Sequence, residues 1–123
     1  MKILVIDDED LVRKSLGRAF QAKGHEVLLA SGGVSGIELW KKETPEVILL
    51  DVLMPDLSGP KVLEIMKGQG YIILMSAYKG EYDSMAAVQL GANEFIPKPF
   101  EDIFSTVEKI EKSYYSYLQN KGC

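Results

Sequence analysis

Val47-Ile48-Leu49-Leu50 runs without a polar residue and stops at Asp51. A short continuous apolar run reads as a strand covered on both faces, because a half-exposed strand would alternate. Further runs lie to either side: Ile3 to Ile6, Val27 to Ala30, Tyr71 to Met75 and the short Glu94 to Ile96. Three of the five are almost purely apolar. Between them lie segments of helical period. Val12, Leu16, Ala19 and Phe20 mark a first stripe, closed by Gly24 as a glycine just past the helix end. Ile37, Leu39 and Trp40 mark a second that ends before Thr44-Pro45. Val62, Leu63 and Met66 mark a short third, closed by Gly68. Met85, Val88 and Leu90 mark a fourth, closed by Gly91. Ile103, Val107, Ile110, Tyr114 and Leu118 give the longest, expected over Glu101–Gln119 and roughly 28 Å in length at 1.5 Å per residue. The chain therefore reads as strand then helix, five times.

That alternation predicts an α/β fold, a doubly wound parallel sheet with helices on both faces and right-handed crossovers. For five units the flavodoxin-like (βα)5 arrangement with strand order 2-1-3-4-5 is the expectation. With 123 residues the whole chain is expected to be one domain. Gly32, Gly33 and Gly36 read as loosening the start of the second helix, and Gly17 as costing the first roughly 1 kcal/mol relative to Ala. A net charge of −4 argues against a phosphate-gripping nucleic-acid domain. The single Cys123 closes no internal disulfide. No run approaches the ~20 apolar residues of a membrane span. The expectation is a soluble, cytoplasmic protein without membrane association.

In open α/β sheets ligands bind beyond the carboxyl ends of the strands, near the switch in strand order. The first strand is followed by Asp7 and Asp8, the third by Asp51, the fourth by Ser76 and the fifth by Lys98. Three carboxylates, a hydroxyl and an ammonium thus share one rim. Carboxylates so close repel one another unless a cation neutralises them. Hard oxygen ligands with room for water suit Mg²⁺. One carboxylate is then placed to attack phosphorus, giving an acyl phosphate, with Lys98 and Ser76 left to compensate the phosphoryl oxygens.

The chain resembles the receiver domain of bacterial two-component response regulators. The resemblance rests on Val5-Ile6-Asp7-Asp8-Glu9, on Leu49-Leu50-Asp51-Val52-Leu53-Met54-Pro55-Asp56-Leu57-Ser58-Gly59, on Met75-Ser76-Ala77 and on Gly91-Ala92-Asn93-Glu94-Phe95-Ile96-Pro97-Lys98-Pro99-Phe100. It extends over essentially residues 1–123. It implies Asp51 as phosphoacceptor, and Asp7, Asp8, Asp51 and the Leu53 backbone carbonyl as ligands of Mg²⁺ or Mn²⁺. Ser76 and Lys98 take the phosphoryl-sensing roles, Phe95 stands at the family's rotating aromatic, and the Lys98-Pro99 bond is cis. The implied function is a phosphorylation-dependent signalling receiver. It takes a phosphoryl group from a sensor histidine kinase or phosphotransfer protein, then shifts the surface of the fourth helix, fifth strand and fifth helix, where a homodimer is possible. Such a domain is not an enzyme in the ordinary sense, though its phosphoryl group hydrolyses slowly. Leu53 and Tyr78, bulky and not acidic, flank the acyl phosphate and predict a long lifetime. Two departures stand out. Only 24 residues separate Asp51 from Ser76, so the third helix is expected to be clipped. Phe95 lacks the hydroxyl of the tyrosine found in many relatives, so a switch there works by packing.

Simpler roles compete for the same residues. Asp8 through Asp10 can serve a helix N-terminus, Asp51 can form a turn ahead of Pro55, Ser76 can cap, Lys98 can be solvated, and Phe95 can fill the core. His25 reads as an exposed loop residue and Trp40 as packing on its own helix. Tyr114, Tyr115 and Tyr117 can serve a dimer, begin a linker, or cover the lower edge of the domain. The alternative function is a phosphorylation-independent interaction module on the same fold. A haloacid-dehalogenase-type phosphohydrolase needs a second acid where Leu53 stands, a flavin site is opposed by the acidic run at 7–10, and no G-x-x-x-x-G-K-[ST] segment exists for a nucleotide.

Overall fold

The computed structural model describes residues 1–66, 69–77 and 84–121. The elements alternate throughout: β1 (Lys2–Ile6), α1 (Asp10–Ala22), β2 (Glu26–Ala30), α2 (Gly33–Glu43), β3 (Val47–Asp51), α3 (Gly59–Met66), β4 (Tyr71–Ser76), α4 (Ser84–Gln89), β5 (Glu94–Pro97) and α5 (Ile103–Lys121). All strand pairs are parallel and the sheet order is β2-β1-β3-β4-β5, the flavodoxin-like arrangement expected.

The unbroken apolar runs follow from having helices on both faces. Ile3, Val5, Val47, Leu49, Ile73 and Met75 face one core with Leu16 and Phe20 of α1 and Val107 and Ile110 of α5. Leu4, Ile6, Ile48, Leu50, Ile72 and Leu74 alternate with them. They face a second core with Val62, Leu63 and Met66 of α3 and Ala87 of α4. Period-two alternation therefore persists, with both sets apolar. Removing one such buried Leu or Ile to Ala costs about 2–5 kcal/mol.

Helix ends follow local chemistry. Gly24, at φ +88°, ends α1: its N–H donates to the Gln21 carbonyl at 2.9 Å and the His25 N–H to Phe20 at 3.2 Å. That is the paired closure a left-handed glycine permits. Gly91 ends α4 in the same manner. Asp102 starts α5, its Oδ1 accepting the Phe104 N–H at 3.0 Å and its Oδ2 the Ser105 hydroxyl at 2.9 Å, which moves the helix start from the expected Glu101 to Ile103. The clipped α3 has eight residues; Gly68, expected to close it, lies outside the described residues.

Several expectations change. Gly32, Gly33 and Gly36 do not loosen α2. A Cβ on Gly36 would lie 2.6 Å from the Ile6 side chain and one on Gly33 2.7 Å from Leu57, so these glycines let the helix approach the sheet and the β3–α3 loop. The stripe assigned to α4 is also displaced. Among the described side chains of this segment Ala87 is buried while Val88 and Leu90 are exposed, because fewer than two turns turn only a narrow face inward; the side chain of Met85 lies outside those described. His25 is no exposed loop residue. Its side chain is 7% exposed, edge-on to Phe20, with Nε2 2.7 Å from Glu111 of α5 and Nδ1 3.0 Å from the Met1 amino group. Trp40 packs against the second core and donates its indole N–H to the Gln69 carbonyl at 3.3 Å. Tyr114 and Tyr117 pack with Tyr71 at the lower edge of the sheet, and Tyr115 is exposed.

Candidate functional site

Strand register assembles the site. Ile6 pairs with Leu50, so Asp7 and Asp51, each one residue further on, leave adjacent strands at the same level. Asp51 is paired with Met75 and Ser76 with Pro97, which carries the same level across to Lys98. Among the described residues the buried polar ones are Asp7, Asp51, Ser76 and Lys98, while Asp8 is exposed.

One carboxylate oxygen from each of Asp7, Asp8 and Asp51 lies within 4.8 Å of the others. Lys98 reaches the same group, its Nζ 3.0 Å from Asp7 Oδ2 and 3.3 Å from Asp51 Oδ1. The Lys98-Pro99 peptide is cis, and the Lys98 N–H donates to the Ser76 carbonyl at 2.8 Å. Ser76 is therefore at the rim beside Lys98. The Leu53 side chain is exposed. Phe95 is half-buried against the second core, and Tyr78 lies outside the described residues.

The electrostatics are unbalanced. Burial, then the charges of Asp7 and Asp8, push the Asp51 carboxyl from 3.8 up to about 7, against the pull of Lys98. Burial disfavours the Lys98 ammonium, but hydrogen bonds to Glu9 and Asp7 and the charge of Asp51 outweigh it and raise its pKa. One ammonium thus serves several carboxylates. Adjacent hard oxygen donors with incomplete charge compensation match the donor set of a small divalent cation.

Of the alternative that the acidic run serves a helix N-terminus, Asp10 keeps the favourable position near the helix dipole and makes no capping bond. It sits in the first turn of α1 and pairs with Arg13 at 2.7 Å and Lys14 at 2.9 Å, whereas the N-cap residue Glu9 makes no side-chain cap bond. Three participants escape a reading of strand ends. Glu9 gives Lys98 a further oxygen at 3.0 Å. Arg13 Nη1 donates to the Asp7 carbonyl at 2.7 Å, and Asp7 Oδ1 accepts the Glu9 N–H at 2.8 Å, so the β1–α1 turn is braced from two sides. Asp56 accepts backbone N–H groups from the start of α2. Charge spacing signals the Arg13–Asp10 pair, three residues apart, but not the bond from Arg13 to the Asp7 carbonyl.

Comparison with known proteins gives one consistent result. A family model described as the response regulator receiver domain matches residues 3–109. Response regulator MprA of Mycobacterium tuberculosis is 35% identical over 103 residues, covering 81% of this chain and 45% of that protein. Regulatory protein AtoC of Escherichia coli is 36% identical over 103 residues, covering 81% of this chain and 22% of that protein. The chain thus spans less than half the length of these relatives. Among solved structures, the response regulator domain of Thermotoga maritima CheB superimposes with a TM-score of 0.79 at 26% identity, covering 94% of this chain and 96% of the other. A CheY-like receiver domain protein from Methanospirillum hungatei, at 24% identity and 97% coverage of each, gives 0.86 and shares the fold.

Proposed function

The chain belongs to the response regulator receiver family, and from that premise we propose that it accepts a phosphoryl group on Asp51 from the phosphohistidine of a sensor histidine kinase or phosphotransfer protein. The observation that carries this reading is the meeting of Asp7, Asp8, Asp51 and Lys98 at one rim. Asp51 Oδ attacks phosphorus, a P–O bond forms as the P–N bond breaks, and the imidazole leaves with a proton.

Asp7, Asp8, Asp51 and the Leu53 carbonyl hold Mg²⁺ or Mn²⁺, which when bound supplies positive charge to offset the crowded oxygens. Asp7 is oriented for that task by the Glu9 N–H and, through its backbone, by Arg13. Lys98 neutralises charge at the buried end, and its ammonium is free to exchange a carboxylate oxygen for a phosphoryl oxygen. Ser76 donates its hydroxyl to another.

Phosphorylation then biases two packings of the α4–β5–α5 surface. Ser76 moves toward the phosphoryl group and Phe95 follows by packing alone, controlling a partner, an output domain or a homodimer. Receiver domains are signalling domains and not enzymes in the ordinary sense. Leu53, exposed and without an acid group, shields the acyl phosphate from water, which supports slow self-hydrolysis. No helix among the described residues is long and apolar enough to cross a membrane, and we place the domain, over 1–123, in the cytoplasm with its kinase partner. Incubation with acetyl phosphate and Mg²⁺ tests the reading. Intact mass rises by about 80 Da for the wild type and stays constant for Asp51→Asn; an adduct of equal extent in the variant refutes it.

A further inference from the structure

The segment leaving β3 carries Leu53, and it is anchored at two points. At Val52 the N–H donates to the Met75 carbonyl at 3.0 Å and the carbonyl accepts the Gly59 N–H at 2.8 Å. Four residues on, the Asp56 carboxylate reaches the start of α2. Its Oδ1 accepts the Gly33 N–H at 3.0 Å and its Oδ2 the Val34 N–H at 2.9 Å, while Oδ1 also accepts the Leu57 N–H at 2.8 Å.

Gly33 and Val34 open α2, where amides lack intrahelical acceptors, and the N-cap residue of this helix, Gly32, makes no side-chain cap bond. A carboxylate distant in sequence therefore performs the capping. The approach is close: a Cβ on Gly32 would lie 2.9 Å from Asp56 Oδ2, and one on Gly33 2.7 Å from the Leu57 Cβ. The backbone hydrogen bonds also hold the Asp56 carboxyl below the usual carboxylate range.

We propose that Asp56 is a positioning residue for the divalent-ion site, tying the segment 53–56 to α2 and so fixing the direction of the Leu53 carbonyl. The proposal rests on the metal-dependent reading above. Only Leu53, Met54 and Pro55 span the two anchors, and Pro55 has its φ locked near −65°. With both ends held, the orientation of the Leu53 carbonyl depends on where Asp56 is held. Met54 and Leu57 also pack on the second core, so loss of the carboxylate loosens the segment without unfolding it. Partners that orient a metal ligand are worth about tenfold to a hundredfold in affinity, and this shared anchoring places the effect at the lower end.

The test is a Mg²⁺ titration of the full chain followed by NMR, reading the dissociation constant and the ¹³C shift of the Leu53 carbonyl. Asp56→Ala is expected to weaken Mg²⁺ binding by about tenfold and to shrink the Mg²⁺-induced shift at Leu53. Asp56→Asn, which keeps one acceptor oxygen, falls between and decides the matter should the alanine variant not fold. Leu39→Ala, further along α2, lowers the melting temperature and leaves Mg²⁺ affinity within twofold. Unchanged affinity and Leu53 shift in both Asp56 variants, or an equal loss in Leu39→Ala, overturns the proposal alone. A wild type that binds no Mg²⁺ overturns the metal-dependent reading and this inference with it.

Discussion

Replacing Asp51 by Asn should stabilise the metal-free protein, and by an amount that depends on pH. Asp51 is 4% exposed and shares its end of the sheet with Asp7, which raises its carboxyl from 3.8 to about 7. Between those two values the unfolded chain has released this proton while the folded chain retains it. The folded state then binds more protons, so the stability that Asp51 contributes is present below pH 3.8 and is lost as pH rises through about 7. Three pK units at 1.36 kcal/mol each set a ceiling of about 4 kcal/mol on the loss. Asn has nearly the same shape, carries no charge, and leaves Lys98 its oxygens from Asp7 and Glu9 at 3.0 Å each. Urea unfolding in EDTA should therefore find the two proteins within about 1 kcal/mol of each other at pH 4. The variant should lead by about 2–4 kcal/mol at pH 8, with most of the change complete by pH 7. Saturating Mg²⁺ narrows or reverses the order, since a ligand at a hundred times its dissociation constant adds about 2.7 kcal/mol to the protein that binds it. A variant no more stable than wild type at pH 8, or one stabilised equally at both pH values, refutes the reasoning.

Lys98→Ala leaves the buried Asp7 and Asp51 without their ammonium and should destabilise the metal-free protein by about 3 kcal/mol at pH 7, with part of the loss recovered by Mg²⁺ in a thermal melt. Gly59→Ala presses a methyl group onto the Asp51 backbone oxygen. It should cost about 2 kcal/mol or more by urea unfolding and slow phosphorylation from acetyl phosphate. Leu53→Asn supplies a polar group beside the acyl phosphate and should shorten its lifetime by up to about tenfold, followed by loss of the mass adduct after donor removal; an unchanged or longer lifetime goes against water exclusion by Leu53.

The strands were legible because helices cover both faces of the sheet, which turns half-apolar strands into continuous runs such as Val47–Leu50; their order followed from the arrangement common to five strand–helix units. Asp7, Asp8, Asp51, Ser76 and Lys98 were legible for a related reason: in a parallel sheet the residue after each strand arrives at one edge, so position along the chain converts directly to position in space. What sequence could not show depends on distant partners. The His25 side chain is largely covered, with Glu111, 86 residues away on α5, 2.7 Å from its Nε2. Gly33 and Gly36 resemble helix breakers until Leu57 and Ile6 are seen against them. Asp56 sits in a run of turn residues, and local chemistry accounts for its being there; its role as the cap of another helix is a tertiary fact. Val88 and Leu90 looked like a buried stripe, but α4 is too short to bury more than the side chain of Ala87 among those described.

The most direct measurement is the location of the phosphoryl group. After phosphorylation with Mg²⁺ present, borohydride reduces an aspartyl phosphate to homoserine, and peptide mass spectrometry reads the position. Homoserine is expected at position 51, and none there when EDTA replaces Mg²⁺. Homoserine at another aspartate, or none at 51 in a protein that has gained the phosphoryl mass, would contradict it.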